Sequence, residues 1–188
     1  MTCRALATVV CVLLLLLLSP APSPATEGTA GAAGMPALVV LFRHTEKAAE
    51  PPGDPPLTKA GKKRARTLAL ALEDAGVTAI ITSDTLRTRS TAQPLAEARG
   101  LAPKVVGLGS GGVAAHVEAV ATEVRRQAGG VVVVVGHSDT IPAIIVALGG
   151  PSLPDVHHTE FAHLFLLVPG PGGARLVRAR YGAPDEGP

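Results

Sequence analysis

Leu38-Val39-Val40-Leu41-Phe42-Arg43-His44-Thr45-Glu46-Lys47 decides how the rest of the chain reads. Five apolar residues in a row have the composition of a strand buried on both faces, and they run directly into a dense cluster of charge. The charge begins where the strand ends. In an open α/β sheet that carboxyl edge is where ligands bind. An Arg beside a His there supplies an anion clamp together with a nucleophile or base. A solvated loop that happens to hold a histidine looks the same, so the stretch has to be weighed with the rest of the chain.

Two further strands end in the same way. Val77 to Ser83 is followed by Asp84-Thr85-Leu86-Arg87-Thr88, and a helix is expected from about Leu86 to Arg99, stopped by Gly100. Val131 to Val135 runs into Gly136-His137-Ser138-Asp139-Thr140 and a helix that starts with Pro142 in its first turn. Between these elements, Thr58 caps a helix whose Ala65, Leu68, Ala69, Leu72 and Ala75 recur at helical spacing. Its Lys62, Lys63, Arg64 and Arg66 read as a solvated face. Val113 to Gln127 reads as another helix, with His116 expected to be exposed. Pro51 to Pro56 reads as a rigid loop arching over the first strand's end. Gly107 to Gly112 lacks the Lys-Ser/Thr of a nucleotide loop and reads as a connector. Ala162–Val168 and Ala174–Tyr181 read as a closing hairpin. Strands alternating with helices predict an α/β fold with three layers, a mostly parallel central sheet covered by helices on both faces. That topology brings Arg43, His44, Arg87 and His137 to one edge.

Composition narrows the partners. The chain has 188 residues, with 17 basic and 15 acidic, so nothing in its balance recommends nucleic acid or an anionic membrane. Three Phe, one Tyr and no Trp leave little for a base-stacking platform. One domain is expected over 37–182, with a tail at 183–188. The N-terminus reads separately. Arg4, the apolar run from Ala5 to Leu18, and the small residues up to Ala25 are expected to form a cleaved signal segment, 1–25, with 26–36 a flexible linker. The expected location is outside the cell, or in the periplasm or cell envelope, without stable membrane insertion after cleavage; an uncleaved anchor is the alternative. Both cysteines, Cys3 and Cys11, lie in the signal segment, so the mature chain would use no disulfide or thiolate chemistry.

Arg43-His44-Thr45, Asp54-Pro55-Pro56-Leu57-Thr58-x-x-Gly61, Ser83-x-x-x-Arg87-Thr88-x-x-Thr91-Ala92 and Gly136-His137-Ser138 occur in this order. Together they resemble the histidine phosphatase superfamily, whose fold is phosphoglycerate-mutase-like. The resemblance implies a phosphoric monoester hydrolase acting on a phosphorylated small molecule or phosphoprotein. His44 would be phosphorylated transiently and then hydrolysed by water, with no metal and no cofactor. His137 would be a second catalytic group, cationic once phosphate is bound, and Arg43, Arg87, Thr45 and Ser138 would hold the phosphoryl group. The chemistry suits these residue types. A neutral imidazole can attack phosphorus if its other nitrogen is held, and planar guanidiniums stabilise oxygens that carry charge throughout a loose transition state.

The general acid is where the chain departs from its better-known relatives. One branch uses a Glu after the second motif, where this chain offers only Glu97. Another has Asp directly after the second His, whereas here Ser138 intervenes before Asp139. Asp139 is preferred, with Glu46, Asp54 and Asp84 as the other candidates. Two enzymatic rivals are Ser138 as the nucleophile of a serine hydrolase, which lacks a convincing partner pair, and a metal site built from His157, His158 and His163. The non-enzymatic rival is a phosphate-binding relative that keeps Arg43 and Arg87 and turns nothing over.

Overall fold

The computed structural model describes residues 34–185. The expected signal segment and most of the linker lie outside the described residues. The chain runs β1 (Leu38–Arg43), α1 (Lys59–Ala71), β2 (Val77–Thr82), α2 (Leu86–Arg99), β3 (Lys104–Val105), α3 (Gly112–Arg125), β4 (Val131–Gly136), α4 (Thr140–Ala147), β5 (His163–Val168) and β6 (Arg175–Arg180). The strands form one sheet in the order β3-β2-β4-β1-β5-β6. The first four are parallel, whereas β5 runs antiparallel to β1 and β6 antiparallel to β5. Among the described residues no helix is long and apolar enough to cross a membrane.

Side-chain alternation explains why both faces are covered. Val39 and Leu41 of β1, with Val132 and Val134 of β4, join the core beneath α3 and α4. Val40 and Phe42, with Val133 and Val135, join the core beneath α1 and α2. All eight are at most 1% exposed, which is why these strands read as continuous apolar runs. Burying each such side chain contributes about 1.5–3 kcal/mol relative to leaving it in water.

Three expectations about the periphery are corrected. Arg64 is not on a solvated face: it is 7% exposed and its Nε donates to Glu46 Oε1 at 2.8 Å. His116 is buried, with Nδ1 3.2 Å from the Gly107 carbonyl. The segment expected to be a tail packs on the domain as far as it is described, because Arg64 Nη1 donates to the Ala183 carbonyl at 2.8 Å and the Asp185 carboxylate accepts the Phe161 N–H at 2.7 Å.

Candidate active site

The carboxyl ends of β1 and β4 lie side by side, with Arg43 paired to Gly136. The ladder continues one residue further, the His44 N–H donating to the Gly136 carbonyl at 2.9 Å. Residues 44 and 137 are thereby forced together, and their rings stand 5.6 Å apart in an edge-on arrangement. His44 is 3% exposed and His137 8%.

His44 Nδ1 lies 2.8 Å from the carbonyl of Thr45. A carbonyl only accepts, so Nδ1 carries the proton and Nε2 keeps its lone pair. Burial first, then the charges of Arg43, His137 and Arg87, push the His44 pKa down to about 3, against the backbone hydrogen bond that raises it. The ring is therefore neutral at ordinary pH. Thr45 contributes that carbonyl and nothing more to the pocket. Its side chain, expected to contact phosphate, is fully buried in the opposite direction, where Oγ1 donates to the Gly61 carbonyl at 3.0 Å and lies 3.3 Å from Thr91 Oγ1. Thr91 Oγ1 also accepts the Thr45 N–H at 3.1 Å. The same close approach explains Gly61, since a Cβ there would collide with the Glu46 carbonyl.

His137 is held by hydroxyls. Its Nε2 lies 2.9 Å from Ser83 Oγ, which lies 2.8 Å from Thr88 Oγ1, and Thr88 Oγ1 donates to the Thr85 carbonyl at 3.0 Å. One consistent set of donors runs from Nε2–H through Ser83 and Thr88 to that carbonyl. Burial, then Arg87, push the His137 pKa down to about 4, while Asp139 pulls it upward. Without a bound anion the second histidine is neutral too, so the cation expected beside phosphate needs a proton that arrives with the anion. Ser83 and Thr88 belong to the second motif, whose sequence alone assigns them no role. Their signal was available: hydroxyls five residues apart, spanning a strand end and the first turn of a helix.

The two arginines are each partly committed. Arg43 Nη1 donates to the carbonyls of His157 and His158, both at 2.9 Å, and to Glu160 at 3.3 Å. Its guanidinium lies over the Phe161 ring, 4.5 Å from the centroid. Arg87 Nη1 lies 3.4 Å from Asp54 Oδ1. The arching loop supplies that contact, and Asp54 also accepts the Leu86 N–H through both oxygens at 2.9 and 2.8 Å, capping α2 from a distance. Nε of each arginine is buried and without a partner among the described residues. Burial and then the charge of Arg87 lower the Arg43 pKa from its ordinary value. Two mutually repelling cations with unspent donors beside two neutral imidazoles favour an anion.

The four candidate acids separate. Glu46 is tied to Arg64 and Asp54 to α2 and Arg87. Asp139 is an exposed cap of α4, accepting the Thr140 N–H at 2.8 Å, and its charge acts on His137. Asp84 is exposed beside Gly107. Ser138 is half-buried, and its carbonyl accepts the Val156 N–H at 3.0 Å. The hydroxyl on His137 belongs to Ser83 instead, which removes the partner a Ser138 nucleophile would need. His157 and His158 rings lie 4.2 Å apart, while His163 Nε2 lies 3.2 Å from Glu160, so these histidines do not form a common ligand set.

Residues 39–107 match the family model of the histidine phosphatase superfamily (branch 1). No curated protein sequence matches the chain. Among solved structures, the protein histidine phosphatase SixA complexed with tungstate is 20% identical, with a TM-score of 0.57 over 76% of this chain and 96% of that one. The mycobacterial glucosyl-3-phosphoglycerate phosphatase with VO3 is 19% identical, with a TM-score of 0.57 over 79% of this chain and 100% of that one. The same mycobacterial enzyme with inorganic phosphate is 22% identical, with a TM-score of 0.55 over 78% and 97%. The fold of the chain is thus the phosphoglycerate-mutase-like one.

Proposed function

We propose that this chain is a histidine phosphatase, a phosphoric monoester hydrolase that carries the phosphoryl group on His44. The observation that supports it most is the fixed tautomer: Nδ1–H is spent on the Thr45 carbonyl, which leaves the Nε2 lone pair of a neutral, buried imidazole beside two cations. Nε2 attacks phosphorus, the P–O bond to the leaving group breaks, and the leaving oxygen takes a proton from an acid or from water. Water then attacks the phosphohistidine, the P–N bond breaks, and inorganic phosphate departs with His44 restored. Arg87 and the free edge of Arg43 stabilise the equatorial oxygens, and His137, protonated as the anion enters, adds a third donor. No step requires a metal. The tungstate, VO3 and phosphate held by the structural relatives are all tetrahedral or phosphate-like oxyanions, which agrees with this use of the pocket.

Asp139 is the proposed general acid, because it is the one candidate carboxylate whose charge acts on His137. Its exposure favours substrates whose leaving group needs little help, such as aryl phosphates and phosphoramidates. The substrate class is a phosphomonoester, either small or on a protein side chain. Ser138 lies beside the pocket and serves the turn. The expected signal segment of 1–25, with its apolar run from Ala5 to Leu18, would place the mature enzyme outside the cytoplasm.

The test is hydrolysis of an activated aryl phosphate by the mature chain in the presence of a chelator, with labelled substrate quenched rapidly without acid. The expected result is turnover together with an acid-labile, base-stable label on the peptide holding His44. Activity only with added divalent ions, or an acid-stable label, would defeat the proposal.

A further inference from the structure

Beyond β6 the chain turns at Gly182, whose φ is +72°, and a Cβ there would come within 3.2 Å of Arg64 Nη1. The turn delivers Asp185, whose side chain is 6% exposed. Its Oδ1 accepts the N–H groups of Phe161 at 2.7 Å and Ala162 at 3.0 Å, and Arg180 Nη1 donates to Oδ2 at 3.2 Å. Arg64 Nη2 lies 3.9 Å from Oδ1, and Arg64 in turn binds Glu46, two residues beyond His44. Phe161 is not an incidental recipient. Its ring supports the Arg43 guanidinium and lies 6.4 Å from the His44 ring, and the three residues whose carbonyls fix Arg43 Nη1 are among the four that precede it. A shift of the backbone at 161 would move both the face under Arg43 and the acceptors that orient it.

We propose that Asp185 is a positioning residue for the phosphate site, fixing the Phe161–Ala162 backbone and, through Phe161, the Arg43 guanidinium beside His44. The proposal rests on the reading of this site as a phosphatase centre. A carboxylate is suited to the task because one oxygen can accept two successive N–H groups while the other answers an arginine, and ionised acceptors make the stronger hydrogen bonds. The charge of Asp185 also favours the protonated form of Arg43, opposing the effect of Arg87.

The experiment compares Asp185→Ala, Asp185→Asn and Phe161→Leu with the wild-type chain, measuring inorganic phosphate binding by calorimetry, kcat and KM for an aryl phosphate, and the melting temperature. Asp185→Ala is expected to weaken phosphate binding about fivefold and to lower kcat about tenfold, since small misplacements of an orienting group are costly. Asp185→Asn keeps an acceptor for Phe161 and Ala162 and should recover most of both. Phe161→Leu, which leaves the buried carboxylate in place, should reproduce the loss of phosphate binding and covers the case in which Asp185→Ala does not fold. A lowered melting temperature with phosphate affinity and kcat within twofold of wild type would assign Asp185 to stability alone and overturn the proposal, as would full phosphate affinity in Phe161→Leu. If wild-type protein binds phosphate but hydrolyses no ester, the catalytic reading fails and Asp185 is judged on phosphate binding. A wild type that binds no phosphate overturns both.

Discussion

The ends of β1 and β4 occupy equivalent places on adjacent parallel strands, and each presents a histidine, yet the two rings are held by different kinds of partner. His44 rests on a carbonyl, which fixes its proton on Nδ1. His137 rests on a hydroxyl, which can donate or accept, so that ring is free to change protonation without breaking its contact. One position in the fold therefore supplies two chemistries. In the proposed mechanism the carbonyl partner suits a group that must keep its lone pair available, and the hydroxyl partner suits one that would gain a proton with the substrate and lose it with the product.

The sharpest way to break this comparison is to remove the rings in turn. His44→Ala is expected to lower turnover by on the order of 10⁴-fold or more and to abolish the acid-labile label. Ser138→Ala should leave most activity, and the reverse pattern in steady-state and quench measurements would hand the nucleophile role to Ser138. Arg87→Ala comes next. Loss of a preorganised cation costs about 2–4 kcal/mol of transition-state stabilisation, or about 30- to 10³-fold in kcat, and phosphate inhibition should weaken with it. Unchanged inhibition would take Arg87 out of the pocket. Ser83→Ala tests the hydroxyl partner directly. Removing one hydrogen bond of this kind is worth about 0.5–1.5 kcal/mol, so up to a roughly tenfold fall in kcat/KM is expected, with an altered pH profile that Thr91→Ala does not reproduce.

Stability is expected to depend on pH as well. Both imidazoles have folded-state pKa values below the ordinary 6.5, at about 3 and about 4. Between those values and 6.5 the unfolded chain binds protons that the folded chain does not. Stability is therefore full above about pH 6.5 and declines as the pH falls through this window, by up to about 1.4 kcal/mol per pH unit for each histidine, levelling off for each once its own folded value is passed. Denaturant melts between pH 7 and 4 should show the decline, and a His44→Ala/His137→Ala double variant should flatten it. An equal slope in that variant would place the titrating groups elsewhere.

The parallel half of the sheet was legible because β1, β2 and β4 are short, mostly apolar runs followed by polar residues, and α2 begins and ends where its turn residues say it should. Arg64 and His116 were misread for one shared reason. Each lies on the apolar stripe of its helix, Arg64 between Gly61 and Leu68 and His116 beside Val117 and Val120, but a polar identity outweighed the spacing. Thr45 was misread because a residue two steps past a strand end follows neither period. Its inward direction is set by α1 and α2, which pack there. Asp185 and Phe161 had no local signal, since their meeting depends on a turn at Gly182 and on which strand β6 pairs with.

The place of β1 in the sheet also governs when the site comes into being. Its neighbours are β4, which begins at Val131, and β5, which begins at His163. A chain emerging from its N-terminus thus releases Arg43 and His44 early and has nothing to pair them with until most of its length has followed. Such long-range pairing slows folding and leaves an apolar strand uncovered in the meantime. A nascent chain ending before β4 would carry both residues of the first motif without His137 or the carbonyls that hold Arg43, so the geometry of this edge is assembled late.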